Sequence, residues 1–475
     1  MFSQGVLWHN RGRSDKHNSR VTEHFNKLIQ FRQAAYELLG NARDALFELS
    51  DAVIQMRQIQ SFAELSCAPA FRRKWPSAYE ALRDGCPDQE GWLRLYLNQM
   101  TAQPRLVLAG DHTAWQRLWA ETLAERSYQH QPTPIPGRRP VTIGHGYSTL
   151  AIIREARGSW AVPLRHERIV DQKPVESAAG QLRYACQNLS VRPLSLWDSE
   201  YGCAAFLLAT TDLQADKLMR LRTHLCLEGP TKPRTHSKGP QPKPGIKFKF
   251  QDPTTWWQPD QVFEYTDPVF GPLRVRMWRG LRFSKALDCR MIVAQIERLQ
   301  ASGTRRKPRL LWFAWVGEEP PAQWWSLYSQ RDPIDHGYRF AKGRLHWTRP
   351  PPATPQQCER WSAIMPLLTW ELWLARPLAE DRPLPWQKPQ TQLAPGRVCQ
   401  SMQNLLVAIG TPTRLCKSRG KSPGWPAGHP RTPRTHHELL RSQRGKTIRA
   451  HKQVLQPGQI PKRGRPKKTN PAIAP

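Results

Sequence analysis

The stretch VRPLSLWDSEYG, residues 191–202, contains an apolar run of strand length that ends on an acid, Asp198. A second stretch, RLVLAGD at residues 105–111, has the same form and ends on Asp111. Short apolar runs bounded by turn residues are typical of buried strands. If the two strands are parallel neighbours, both carboxylates leave the sheet at one edge, where open α/β sheets place their functional sites.

The sequence between these two runs predicts more of the same sheet. Residues 141–169, VTIGHGYSTLAIIREARGSWAVPLRHERI, read as two strands joined by a Gly/Ser turn, and residues 176–189, ESAAGQLRYACQNL, read as a helix. The order strand, hairpin, helix, strand indicates an α/β fold. An Asp after a strand is also a common turn former or helix cap, so a structural role for either acid stays open.

The rest of the chain divides by composition and periodicity. Apolar residues at intervals of three and four predict helices before residue 100, and alternating or Pro- and Gly-rich stretches follow residue 212. The predicted units are a polar arm at 1–19, a helical domain at 20–100, an α/β domain in two parts at 101–212 and 307–350, a β-rich insertion at 213–306, C-terminal helices at 351–410, and a disordered basic tail at 411–475.

The charge of the chain indicates a polyanionic partner. Its 475 residues include 71 Lys and Arg against 38 Asp and Glu, a formal net charge of +33. Residues 411–475 alone hold sixteen Lys and Arg and one acid, Glu438. No apolar run is long enough to span a bilayer, so DNA is favoured over a membrane.

Location and redox state follow from the N-terminal sequence and the cysteines. The start lacks a secretory signal, which predicts a cytoplasmic, nucleoid-associated protein. The nine cysteines form no CxxC pair. We therefore expect reduced, mostly buried thiols rather than a zinc site or a disulfide framework.

Residues 324–347 read as a helical segment, and a third acid lies within it in YSQRDPIDHGYRFAKGRLHW, residues 328–347. Pro333 suits the first position of a helix, which puts Asp335 in a first turn where the helix dipole favours an anion. Helical spacing gives one stripe that docks on the sheet, formed by Ile334, Tyr338, Ala341 and Leu345. It gives a second, outward stripe formed by Asp335, Arg339, Lys342 and His346. Bases beside an acid could grip the phosphates that flank a metal, although acid–base pairs at this spacing are also ordinary helix stabilisers.

The same stretch resembles a known family signature. Its Tyr328, Arg331, Asp335 and Lys342 match the spacing Y-x2-R-x3-E-x6-K of insertion-sequence transposases with an RNase H-like DDE domain, with Asp335 in place of Glu. Asp198 is followed by SEYG, similar to the D-x-x-YG of the second acid in that group, and Asp111 resembles the first. The resemblance implies an RNase H-like mixed sheet split by a β-rich insertion, over about residues 105–350.

The resemblance also implies a chemistry. Asp111, Asp198 and Asp335 would hold two Mg²⁺ or Mn²⁺ ions, which serve strand nicking and then attack of the freed 3′ hydroxyl on target DNA. The remaining signature residues, Tyr328, Arg331 and Lys342, would contact the DNA backbone, and Arg339 would join them. The partners would be terminal inverted repeats and target DNA, bound by a homodimer. Asp212 in ATTDLQADK is a rival second acid, but it lacks the YG that follows Asp198.

Two further features suggest DNA contacts. Trp256 and Trp257 lie in the predicted insertion, where a tryptophan can stack on an unpaired base, although packing is the more common role. Arg463 and Arg465 lie in PKRGRPKK, which resembles an AT-hook that reads a narrow minor groove.

Two other functions stay open at this point. Because Asp335 is one methylene shorter than Glu, the chain could be a catalytically inactive DNA-binding protein on the same scaffold. It could also be an RNase H-like nuclease that does not transfer strands.

Overall fold

The computed structural model describes residues 15–100, 105–130, 141–230, 245–299, 310–416, 428–430 and 433–440. The first of these ranges is helical, as the apolar periodicity predicts. Its helices are α1 Asp15–Glu37, α2 Arg43–Gln55, α3 Phe62–Leu65, α4 Pro76–Asp84 and α5 Gln89–Leu97. Because α1 begins at Asp15, part of the predicted polar arm is helical.

The middle of the chain forms a mixed sheet. Its first elements are β1 Val107–Gln116, β2 Ser127–His130, β3 Val141–Ile153, β4 Ala161–Ile169, α6 Pro174–Asn188, β5 Leu194–Trp197, α7 Ala204–Ala209 and β6 Asp216–Leu221. The pairing order is β4, β3, β1, β5, β6, with β3 antiparallel to β1 and β4, and with β5 parallel to β1 and β6. This confirms the predicted RNase H-like mixed sheet, the hairpin and the helix that follows it.

A run of mainly antiparallel strands follows β6. Its strands are β7 Cys226–Glu228, β8 Lys247–Lys249, β9 Gln261–Asp267, β10 Gly271–Phe283, β11 Ala286–Arg298 and β12 Leu311–Val316, with a 3₁₀ turn at Pro253–Thr255. Strand β12 pairs antiparallel with both β11 and β6, so these strands extend the first sheet into one of twelve strands. Strand β6, which the sequence suggested inside the insertion, belongs to the parallel set and ends at Leu221.

Helices close the described part of the chain. They are α8 Trp324–Ser329, α9 Pro333–Gly343, α10 Pro355–Ala375 and α11 Pro395–Ile409, with a 3₁₀ turn at Arg376–Leu378. The single helix predicted over 324–347 is wrong, because residues 330–332 interrupt it. The physical reason is Pro333, which has no N–H to continue the hydrogen bonds of α8 and is suited to the first position of a new helix.

Helix α10 joins the helical N-terminal part to the sheet. It is buried on nearly all sides, as a helix in the middle of a core must be. Its Trp370 stacks on Tyr96 of α5 at 5.3 Å between ring centroids, and the Trp370 indole donates to the Pro163 carbonyl of β4 at 2.8 Å. The two parts therefore share one continuous apolar core.

A buried ion cluster crosses this junction. Arg32 of α1 forms a two-pronged bond to Asp51 of α2, at 2.9 Å for each prong, and also bonds to Glu371 of α10. Burial raises the pKa of Glu371 to about 7. The positive charge of Arg32 lowers this pKa, and the negative charge of Asp51 raises it further. One cation thus faces two carboxylates away from water.

We predict that this cluster makes stability depend on pH. Between the ordinary pKa of Glu371, 4.5, and about 7, the folded chain holds more protons than the unfolded chain, so stability falls as pH rises through that window. The difference corresponds to about 3 kcal/mol at most. Glu371→Gln should therefore gain stability relative to the native chain between pH 5 and pH 8 in denaturant unfolding. Glu23→Gln on the exposed face of α1 is the control, and an equal offset at both pH values would contradict the prediction.

The C-terminal segments and the cysteines differ from expectation. Residues 411–416, predicted as the start of the disordered tail, contact the helical part, where the Arg72 guanidinium donates to the Thr413 carbonyl at 3.2 Å. Leu440 pairs with Ser127 of β2, and residues 441–475 lie outside the described residues.

All nine cysteines are free, but only Cys358 and Cys399 are buried, so the expectation of mostly buried thiols is wrong. In the described ranges, no helix has the length and apolar character needed to cross a lipid bilayer.

Candidate active site

Asp111 lies in the interior of β1, opposite Thr149 of β3. The preceding Gly110 permits a close approach of β5, since a Cβ at this position would lie 1.9 Å from the Trp197 ring. Asp111 is buried, and one of its carboxylate oxygens accepts from the His112 N–H at 2.8 Å. The sequence AGD therefore fixes a carboxylate on the sheet surface beside β5.

Asp198 follows the last residue of β5. In the parallel register, Gly110 of β1 is opposite Trp197, so Asp111 and Asp198 come next on adjacent strands. Adjacent strands are about 4.8 Å apart. Asp198 accepts from the Glu200 N–H at 2.8 Å, which holds the turn, and the Tyr201 hydroxyl that follows lies 3.3 Å from the His112 ring. The two acids lie side by side as predicted, but the strand end predicted at Asp111 is wrong, because β1 continues to Gln116 in its pairing with β3.

Asp335 lies in the first turn of α9, as predicted, and its side chain is 60 % exposed. Helix α9 is fixed to β1 by two contacts. The Tyr338 hydroxyl donates to the Asp111 carbonyl at 2.9 Å, and the Lys342 ammonium donates to the Thr113 hydroxyl at 2.6 Å. Asp335 is thereby held above the strand that carries Asp111.

Arg331 connects the acids. Its guanidinium lies 2.8 Å from an Asp111 oxygen and 3.7 Å from an Asp335 oxygen. Burial lowers the pKa of Arg331, but the charge of Asp111 and the weaker effects of Tyr328, Asp198 and Asp335 outweigh it, so the net shift is upward. The guanidinium is therefore the positive centre of the acid cluster.

The acids also act on one another. Burial raises the pKa of Asp111 to about 6, Arg331 opposes that rise, and the charge of Asp198 adds to it. A carboxylate held away from water beside a second carboxylate favours any cation that can approach it. Asp111 and Asp198 therefore form an electrostatically coupled pair.

The chain is similar to a family of known proteins and to a solved structure. A family model described as DDE superfamily endonuclease matches residues 35–275, half of the chain. The chain belongs to this family. The matched range of this DDE superfamily endonuclease includes Asp111 and Asp198, and it ends before Asp335. A cryo-EM structure of the piggyBac transposase synaptic complex with hairpin DNA is similar with a TM-score of 0.39 and 9 % identity, over 83 % of this chain and 78 % of that one. No curated protein matches the sequence.

Two signature residues of this DDE superfamily endonuclease face inward. Tyr328 is buried among the rings of Phe313 and Trp325, and Arg331 is buried against Asp111. The resemblance implied that both side chains contact DNA. In the structure both side chains contact protein groups, Tyr328 from α8 and Arg331 from the segment before α9, and the implied DNA contacts stay a prediction.

The two predicted stripes of α9 are only partly as expected. Ile334 and Leu345 are buried as predicted, and Arg339 is exposed. Lys342 is half-buried against β1, where burial lowers its pKa to about 8. The outward position predicted for His346 is wrong, since it is buried and accepts or donates at 2.9 Å to the Met56 carbonyl. The helix ends at Gly343, so helical spacing no longer applies at His346.

The insertion tryptophans of the endonuclease lie in an aromatic cluster. The Trp256 ring packs against Phe248 and Trp312, and the Trp257 ring packs against Phe248. The Trp256 indole donates to the Lys249 carbonyl at 2.7 Å. Packing accounts for both side chains as they lie here. Arg463 and Arg465 lie outside the described residues.

The acid cluster has the donor atoms of a metal site but not the spacing of one. Within the described residues, no three His, Cys, Asp or Glu side chains stand close enough together to hold an ion as they are. The donor set nevertheless fits a hard divalent cation, because Asp111, Asp198 and Asp335 all present carboxylate oxygens. Arg331 stands among them as the balancing charge.

Sequence reasoning missed one cation at this edge. Met219 of β6 is opposite Trp197 of β5, so the next residue, Arg220, lies beside Asp198. The only signal for it would have been the parallel register of β5 and β6, which a single sequence does not reveal.

Proposed function

We propose that this endonuclease is the transposase of an insertion sequence, which cleaves DNA at the terminal inverted repeats of its element and joins the freed ends to target DNA. The observation that carries the proposal is the meeting of Asp111, Asp198 and Asp335 around the Arg331 guanidinium. Membership of the DDE superfamily endonucleases supports the nuclease chemistry. Strand transfer is the further step that we add.

Asp111, Asp198 and Asp335 would hold two divalent ions, Mg²⁺ or Mn²⁺. When bound, the ions would offset charge on the scissile phosphate and make a water or a 3′ hydroxyl a better nucleophile. The site excludes water on the sheet side, since Asp111 is buried there. It is open on the α9 side, where Asp335 is exposed and DNA could enter.

The chain's own residues would fix the geometry of the acids. Tyr338 and Lys342 hold α9 against β1, which sets the height of Asp335 over Asp111. Arg331 offsets the charge of the acids and limits their repulsion. Such fixed placement of charge lowers the reorganisation needed during reaction.

DNA is the proposed partner because the net charge of +33 favours a polyanion. The transposase would act on two element ends and a target, and we propose a homodimer in that complex. We also propose that it works in the cytoplasm on nucleoid DNA.

The test uses labelled duplexes that carry the DNA flanking the coding region. The native chain should leave 3′ nicks at the repeat ends in Mg²⁺ and none in EDTA, and should give joined products with a plasmid target. Nicking without joined products would favour a nuclease that does not transfer strands. Binding without nicking would favour an inactive DNA-binding protein.

The third acid allows a sharper prediction. Asp335→Glu should keep cleavage or raise it by about tenfold at most, about 1.4 kcal/mol, because the exposed side chain has room for one methylene and reaches further toward the other acids. Initial cleavage rates on the same duplexes measure this effect. Asp332→Glu is the matched control on the neighbouring exposed acid and should leave the rate unchanged. Loss of cleavage in Asp335→Glu would contradict the assignment.

A further inference from the structure

The candidate site contains a cation whose charge is not used by the acids. Arg220 is the fifth residue of β6, and the parallel register puts it beside Asp198. Side chains of a strand alternate between faces, and Leu218 two residues earlier packs with Leu196, Trp324 and Tyr328. Arg220 therefore lies on the sheet face that carries Tyr328 and Arg331.

Asp111, Asp198 and Arg220 thus form a row across three neighbouring parallel strands. Strands lie about 4.8 Å apart, so the row is about 10 Å long. Along one strand of a duplex, successive phosphates rise by about 3.4 Å. The row is about as long as three phosphate-to-phosphate steps along the helix axis.

Arg220 and Arg331 differ in how their charge is balanced. Arg331 is buried and ion-paired with Asp111. Arg220 is half-buried, and among the described residues its guanidinium forms no salt bridge. The positive charge of Arg220 lowers the pKa of Tyr328, against the larger upward effect of burial, so the two side chains are near neighbours. Arg220 is therefore a cation beside Asp198 whose charge is available for a ligand.

We infer that Arg220 binds a DNA backbone phosphate next to the scissile one, on the β6 side of the acids. The inference rests on the proposed function, because it takes the acids as the centre of cleavage. A planar guanidinium with a fork of N–H donors suits a phosphate. The inference adds a backbone contact on the β6 side of the acids, beside the contacts that the resemblance implies for Tyr328 and Arg331.

The test measures DNA binding as a function of salt, without cleavage. The probe is a labelled duplex carrying the DNA that flanks the coding region, bound in EDTA and followed by fluorescence anisotropy. Each phosphate contact contributes about 0.9 to the slope of log K against log salt. Arg220→Gln should lower that slope by about 0.9 and weaken binding. Arg220→Lys should keep the slope, since it keeps the charge.

Arg83→Gln on α4 is the matched control, because it removes the same charge from an exposed arginine of the helical part. It should leave the slope unchanged, and thermal unfolding should show each variant folded. Tyr328→Phe should weaken binding less than Arg220→Gln. In cleavage assays, Arg220→Gln should raise KM more than it lowers kcat.

The result that overturns the inference is an Arg220→Gln protein with the native slope and affinity. This outcome is distinguishable from failure of the proposed function. A native chain that binds with an Arg220-dependent slope but never nicks in Mg²⁺ supports the phosphate contact and contradicts the transposase. A native chain that nicks while Arg220→Gln binds and nicks equally well contradicts the phosphate contact alone.

Discussion

Replacing Asp198 with Ala is expected to lower metal-dependent cleavage by about a thousandfold. Asp198 and Asp111 lie side by side on adjacent strands, so the change removes one of two neighbouring carboxylates. A bound metal ion stabilises the charge of the transition state by several kcal/mol. A loss of about 4 kcal/mol of that stabilisation lowers the rate by about a thousandfold. Single-turnover cleavage of a labelled duplex with the repeat ends measures the loss.

A second variant separates charge from structure. Asp198 accepts a bond from the Glu200 N–H, so Ala also weakens the turn after β5 by about 1 kcal/mol. Asp198→Asn keeps an oxygen acceptor and the side-chain shape but removes the charge. We expect it to unfold like the native chain and to lose nearly as much cleavage as Ala.

Asp212 is the matched control for this prediction. It is the rival acid nearby in sequence, but it is exposed and lies 3.0 Å from the Arg183 guanidinium, whose bond lowers the pKa of Asp212. Asp212→Ala should cleave at the native rate. If Asp198→Ala still nicks in Mg²⁺, or if Asp212→Ala is the variant that loses nicking, the assignment of the second acid fails.

The sheet and the placement of two acids could be predicted because the relevant signals are local. The apolar run before Asp198 predicts both the strand and its end, whereas the run before Asp111 predicts the strand but not its continuation to Gln116. A proline before an acid predicts the start of α9 and the position of Asp335 in its first turn. Each of these inferences needs only a few neighbouring residues.

The contacts of the site could not be predicted, because they depend on how distant elements pack. Helical spacing gives the relative angles of residues on α9 but not the depth at which the helix docks. Arg331 lies in the segment before α9 and turns inward to Asp111, 220 positions away in the chain. The value of Arg220 as a site residue likewise depends on strand register, which hydrophobic patterning does not fix between parallel strands.

The buried charge at the site has a consequence for the whole fold. Arg331 is the direct partner of a carboxylate that is held away from water, and the bond between them joins the start of α9 to β1. Removing one partner of a buried ion pair costs much more than removing both. Stability measurements can therefore detect the acid cluster without any cleavage assay.

Arg331→Ala is expected to lower the free energy of unfolding by about 3 kcal/mol in EDTA, because it leaves the Asp111 carboxylate buried without its cation. Denaturant unfolding measures the change. Mg²⁺ should restore much of the loss, since an ion held by the acids at a hundred times its Kd stabilises by about 2.7 kcal/mol.

The control for Arg331→Ala is the double variant Asp111→Asn with Arg331→Ala, which removes both charges of the pair. It should be more stable in EDTA than Arg331→Ala alone, and it should gain little from Mg²⁺ because one carboxylate ligand is gone. Equal stability of Arg331→Ala and the native chain in EDTA would show that the ion pair is not needed to hold α9 on β1. Equal gains from Mg²⁺ in the single and double variants would show that Asp111 does not bind the ion.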